Sequence, residues 1–74
     1  MHKSAFLPLF GSRLAKARAA AGLSQANVAN VIRVHRQTVY LWEAGRQAPD
    51  VWRVRQLCEA LSVVPTHLLG LGDG

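Results

Sequence analysis

Apolar residues recur at helical spacing along most of this chain. Phe10, Leu14, Ala17 and Ala21 fall on one face of a segment rich in Ala, Arg, Lys and Leu, which predicts a first helix over residues 10–21. Gly22 ends it as a C′ glycine, and Ser24 offers an N-cap oxygen to a second helix over 25–32. Val28, Ala29 and Ile32 form the inward face of that helix. After a break at 33–35, a third helix over 36–44 turns Val39 and Trp42 inward and stops at Gly45. A polar loop leads to Pro49, where a fourth helix begins with Val51, Val54, Leu57, Cys58 and Leu61 on its inner face. Pro65 opens a last short helical turn reaching Leu69. No stretch alternates with period two long enough to make a strand. The expectation is an all-α fold, a compact bundle of five short helices. It comprises an N-terminal arm over 1–9, one domain over 10–70 and a flexible tail over 71–74, where Gly72 and Gly74 follow Gly70.

Composition narrows the function. A chain of 74 residues, half of them hydrophobic, builds one modest core of marginal stability. Nine Lys and Arg against four Asp and Glu leave a net charge of +5, which favours a polyanionic partner, nucleic acid before acidic membrane. The first predicted helix, with its many alanines, lacks the strongly apolar face that membrane binding needs. Cys58 is the one cysteine, so no intrachain disulfide is available and a reducing compartment fits. Neither a CxxC nor a His/Cys pair at ligand spacing occurs, so no metal and no cofactor is expected. No apolar run approaches the ~20 residues of a membrane span. The first ten residues, interrupted by Pro8, make a poor signal peptide. A cytoplasmic protein, bacterial or phage-encoded, is the resulting expectation. Nothing groups a nucleophile with a base or pairs carboxylates, so an enzyme is not expected.

The middle of the chain resembles the phage Cro and repressor type of helix-turn-helix, the XRE family. Arg18 followed by Gly22-Leu23-Ser24-Gln25 forms the opening of the motif. Val28-Ala29, Val34 and Arg36-Gln37-Thr38-Val39 come next, then Trp42-Glu43-Ala44-Gly45 and Pro49. The resemblance runs from about Phe10 to Leu69 and implies a lambda-repressor-like DNA-binding domain. Its second and third helices would cross with Ala29 at the contact, where a larger side chain would force them apart. Two positions depart from the pattern. Arg33 stands where the family usually has glycine in the turn, and Ser62 replaces a common glycine after the fourth helix. Each is expected either to accept a left-handed conformation at a cost on the order of 1–2 kcal/mol or to alter its turn.

The resemblance makes the third helix the recognition helix of a sequence-specific transcriptional regulator, a repressor acting on double-stranded DNA. Arg36, Gln37, Thr38 and Leu41 are the expected base contacts. Arg pairs with guanine O6 and N7, Gln with adenine N6 and N7, and an apolar Leu41 meets a thymine methyl. Gln25, His35, Tyr40, Arg46 and Gln47 are the expected phosphate contacts, with Arg13, Lys16, Arg33 and Arg53 as further contributors. His35 also stands at the N-cap of the third helix in place of the usual small polar residue. Arg18 and Glu43 are expected to form a structural ion pair. The implied partner is an operator with an inverted repeat. It is read by a homodimer that forms in solution or only on DNA, through Val64, Leu68, Leu69 and Leu71. The competing reading is a protein-interaction module, or an antitoxin subunit, that keeps the fold; the apolar character of Tyr40 and Leu41 is its support.

Overall fold

The computed structural model describes residues 3–71, with side chains from residue 5 onward. Among them lie five helices and no strand: α1 (Lys3–Ala20), α2 (Gln25–Ile32), α3 (Arg36–Glu43), α4 (Val51–Leu61) and α5 (Pro65–Leu69). The tail expected over 71–74 lies, beyond Leu71, outside the described residues.

The first helix begins at Lys3, well before the expected start at residue 10, and runs through Pro8. Proline removes one helix hydrogen bond and crowds the carbonyl four residues back, so local propensity argues for a break there. Packing offsets that cost: Phe6 stacks on Phe10 with ring centroids 6.1 Å apart, and Phe6 lies against the core. At the other end the helix stops at Ala20, and Ala21 is exposed rather than part of the inner face.

One core joins all five helices. Phe10 and Leu14 of α1, Val28, Ala29 and Ile32 of α2, and Val39 and Trp42 of α3 are buried with Leu57, Cys58 and Leu61 of α4 and Leu68 of α5. Two expectations change here. Val51 is 87% exposed, because at the first position of α4 it precedes the turn that faces the core. Leu68 is fully buried and closes the core, so it is not part of any outer surface.

Close approach of α1 to α3 depends on Gly11. A Cβ there would collide with the backbone carbonyl oxygens of Trp42 and Glu43. Glycine inside a helix costs about 1 kcal/mol relative to alanine, and here the cost is offset by tight packing of α1 on the end of α3. Both expected departures from glycine adopt the left-handed conformation. Arg33 has φ 61° and ψ 51°, and Ser62 has φ 57° and ψ 43°. Their amides donate to the carbonyls of Ala29 and Cys58, and each closes its helix as glycine would.

Candidate nucleic-acid interface

Helix α2 is well capped at its start, and the turn from it to α3 is short. Ser24 Oγ accepts from the Asn27 amide at 3.0 Å, and the Ser24 amide donates to Asn27 Oδ1 at 2.9 Å. This reciprocal capping box satisfies two of the amides that open a helix. Beyond α2, Val34 is half-buried and packs against the core, and its amide donates to the Ala29 carbonyl at 3.0 Å. His35 is extended at the N-cap of α3 and its ring makes no capping hydrogen bond. The His35 side chain at this N-cap position thus caps nothing, and the exposed imidazole is left to other partners.

A single carboxylate anchors the far end of α3. Arg18 donates through Nε to Glu43 Oε2 at 2.6 Å and through Nη2 to Oε1 at 3.0 Å. Its remaining Nη1 donates to the Leu23 carbonyl at 2.9 Å, on the turn that leads into α2. Gln25 Nε2 donates to Glu43 Oε1 at 3.0 Å. An ionised carboxylate only accepts, so the amide of Gln25 must present its NH2 to Glu43. The Glu43 side chain is 7% exposed and that of Arg18 20%. Hydrogen bonding to Glu43 raises the Arg18 pKa further above its ordinary value, against the opposing effect of burial. Arg18 and Glu43 thus tie α1, the α2 entry and α3 into one rigid unit.

What α3 leaves outside is a polar row. Arg36 and Gln37 are exposed, Tyr40 is 48% exposed, and Thr38 and Leu41 are half-buried beside them. The opposite side carries the buried Val39 and Trp42. Immediately after α3 the chain folds back onto the helix. The amides of Arg46 and Gln47 both donate to the Leu41 carbonyl, at 2.9 and 3.3 Å, which holds these two exposed residues at the end of α3. Gly45 takes φ +73°, and a Cβ added there would press on the α1 backbone at Leu7 and Pro8.

The expected site residues therefore separate into groups. Arg36, Gln37, Tyr40, Arg46 and Gln47 gather along α3 and its following loop, with His35 at its start. Gln25 lies at the start of α2, joined to α3 through Glu43. Arg53, expected as a further phosphate contributor, has part of its guanidinium engaged within the protein. It is half-buried, and its Nη1 donates to the Ile32 carbonyl at 2.8 Å and to Gln56 Oε1 at 2.7 Å. It covers the last carbonyl of α2, which the sequence does not reveal because the two residues are far apart in the chain. Arg13 faces α5, with its guanidinium against Gly70, and so belongs to a different part of the molecule. Gly11 escaped the sequence reading as well. Its signal was a glycine inside an otherwise strong helix-forming segment, which usually has a packing reason. Among the described residues no group of acidic, His and Cys side chains could hold a metal ion. No helix there is long and apolar enough to cross a membrane.

Comparison with known proteins agrees with this fold. One solved structure, the restriction-modification controller protein C.AhdI from Aeromonas hydrophila, superposes with a TM-score of 0.82 at 34% identity, covering 86% of this chain and 97% of that one. No curated protein sequence matches. The family described as helix-turn-helix domain matches residues 9–69, nearly the whole described structure. The chain belongs to the helix-turn-helix domain family, in the XRE form that its sequence resembles.

Proposed function

We propose that this protein represses transcription by occupying a specific double-stranded operator, with α3 in the major groove. Membership of the helix-turn-helix domain family makes it a DNA-binding regulator of transcription, and similarity to a restriction-modification controller supports the same role. The observation that carries the finer reading is the exposed row of α3. Arg36 and Gln37 present the donors and acceptors that read guanine and adenine edges, on a helix whose other face is buried and whose end is fixed by Glu43. Leu41 and Thr38, half-buried beside them, suit shorter-range contact with a thymine methyl or a base edge. Gln25 uses one of its two amide hydrogens on Glu43, and the second remains for a phosphate at the start of α2. His35, Tyr40, Arg46 and Gln47 are exposed around the same helix and supply further phosphate contacts. Binding rather than catalysis is the activity, and no cofactor takes part.

A single domain of this size contacts few base pairs and discriminates poorly among genomic sites. A symmetric dimer doubles the contacts and reads an inverted repeat. The apolar surface for it lies where α4 begins and along α5. Val51, Trp52, Val64 and Leu71 are exposed there, and Val51 shares a groove with Val54, Pro65 and Leu69. The deciding experiment selects bound sequences from a random DNA library and measures stoichiometry on the selected site. The expected result is an inverted repeat with half-site centres about ten base pairs apart and two chains bound. One chain on an asymmetric site would refute the dimer, and no sequence enrichment would refute specific readout in favour of a protein-interaction role.

A further inference from the structure

An open cleft with a volume of about 380 Å³ lies between the second half of α1, the end of α4 and α5. None of its lining residues belongs to α2 or α3, so it lies apart from the proposed DNA contacts. That volume is at the small end of the roughly 300–1,000 Å³ usual for small-molecule sites. Its floor is apolar and built from small groups, with Ala17 and Ala20 beside Leu61. Ala20 is an exposed position near the end of a helix, where any long polar side chain would be tolerated; alanine keeps the cavity open. Arg13, Lys16 and His67 contribute the polar groups of the lining.

The charge balance of the cavity is one-sided. No acidic residue lines it. Among the described residues, Glu43 is engaged by Arg18 and Gln25, Asp50 caps α4, and Glu59 lies beside Arg55. None of these carboxylates makes an ion pair with Arg13 or Lys16. An occupant that matches both halves needs an anionic head for Arg13 and Lys16 and an apolar body for the alanine floor. We propose that this cavity binds a small amphipathic monoanion, an aliphatic carboxylate of medium chain length. The carboxylate accepts from the guanidinium of Arg13 and the ammonium of Lys16, with the ring N–H of His67 as a third donor. The chain displaces water from Ala17, Ala20 and Leu61.

The test is a titration of the ¹⁵N-labelled protein with octanoate below its micellar concentration, followed by amide chemical shifts. Octanol, butyrate and inorganic phosphate are the comparison probes. The expected result is saturable shifts centred on Ala17, Ala20 and His67, with octanoate binding at least tenfold tighter than each of the other three. Arg13→Gln combined with Lys16→Gln should weaken octanoate at least tenfold and leave octanol unchanged. Because loss of Arg13 also disturbs its packing on Gly70, Ala20→Leu serves as an independent variant that fills the cavity from an exposed helix position. It should abolish the shifts while the spectrum stays dispersed. No localised shift, octanol or phosphate binding as tightly as octanoate, or unchanged octanoate affinity in Ala20→Leu would each overturn the proposal.

Discussion

Replacing Glu43 with Gln keeps the shape of the side chain and removes its charge, so it isolates what the Arg18–Glu43–Gln25 cluster contributes. The carboxylate accepts two hydrogen bonds from Arg18 and one from Gln25 with 7% of its side chain exposed. A carboxamide cannot accept all three, because its NH2 group would face donors. Removing one partner of a buried ion pair costs about 3–5 kcal/mol, since the remaining charge is left uncompensated. Arg18 is 20% exposed and keeps its bond to the Leu23 carbonyl, so water relieves part of that cost. The expected loss is therefore about 2–4 kcal/mol. A domain of 74 residues has a total stability of roughly 4–11 kcal/mol, so the change would remove a large share of it. Urea unfolding followed by circular dichroism would show a lower midpoint at unchanged slope. Arg18→Gln and the double variant complete a cycle whose coupling should exceed about 1 kcal/mol. A loss below 1 kcal/mol, or strict additivity of the two single changes, would refute the view that this cluster anchors α3.

Other expectations are more local. Trp42→Ala should cost roughly 3–5 kcal/mol in thermal or urea melts, and a change below 1 kcal/mol would remove Trp42 from the centre of the core. Gln37→Ala should weaken the selected operator by about 1–3 kcal/mol and random DNA little; equal losses on both would reject it as a base reader. Arg46→Ala should weaken both DNAs and flatten the salt dependence, since a phosphate contact carries no sequence information. Ser62→Gly should raise stability by about 1 kcal/mol by relieving its left-handed backbone, and a lower melting midpoint would contradict that assignment of strain. Leu69→Lys and, from the far more exposed neighbouring position, Val51→Lys should abolish cooperative binding to the full operator while half-site binding persists; unchanged cooperativity would place the dimer contact elsewhere.

The residue order alone determined the helices from α2 onward. Their ends carry chemistry that acts within a few residues: the oxygen of Ser24, the glycines after α1 and α3, and Pro65 at the start of α5. The spacing of Val28, Ile32, Val39 and Trp42 likewise states which faces turn inward, because a helix repeats every few residues. The motif from Arg18 to Pro49 announced the helix-turn-helix and named the exposed side of α3. Tertiary structure decided what depends on residues distant in the chain. Lys3–Ala20 is one helix despite Pro8 because Phe6 packs on Phe10 and the core, a gain that local propensity does not count. Gly11 is required by two carbonyl oxygens of α3, and Arg53 is held by the last carbonyl of α2. Leu68 and Val51 exchange their expected places because burial depends on what lies opposite a residue as much as on its own period. The cationic opening arises in the same way: Arg13 and Lys16 lie one turn apart on α1, His67 stands far from them in sequence, and only the packing of α5 beside α1 brings the three together.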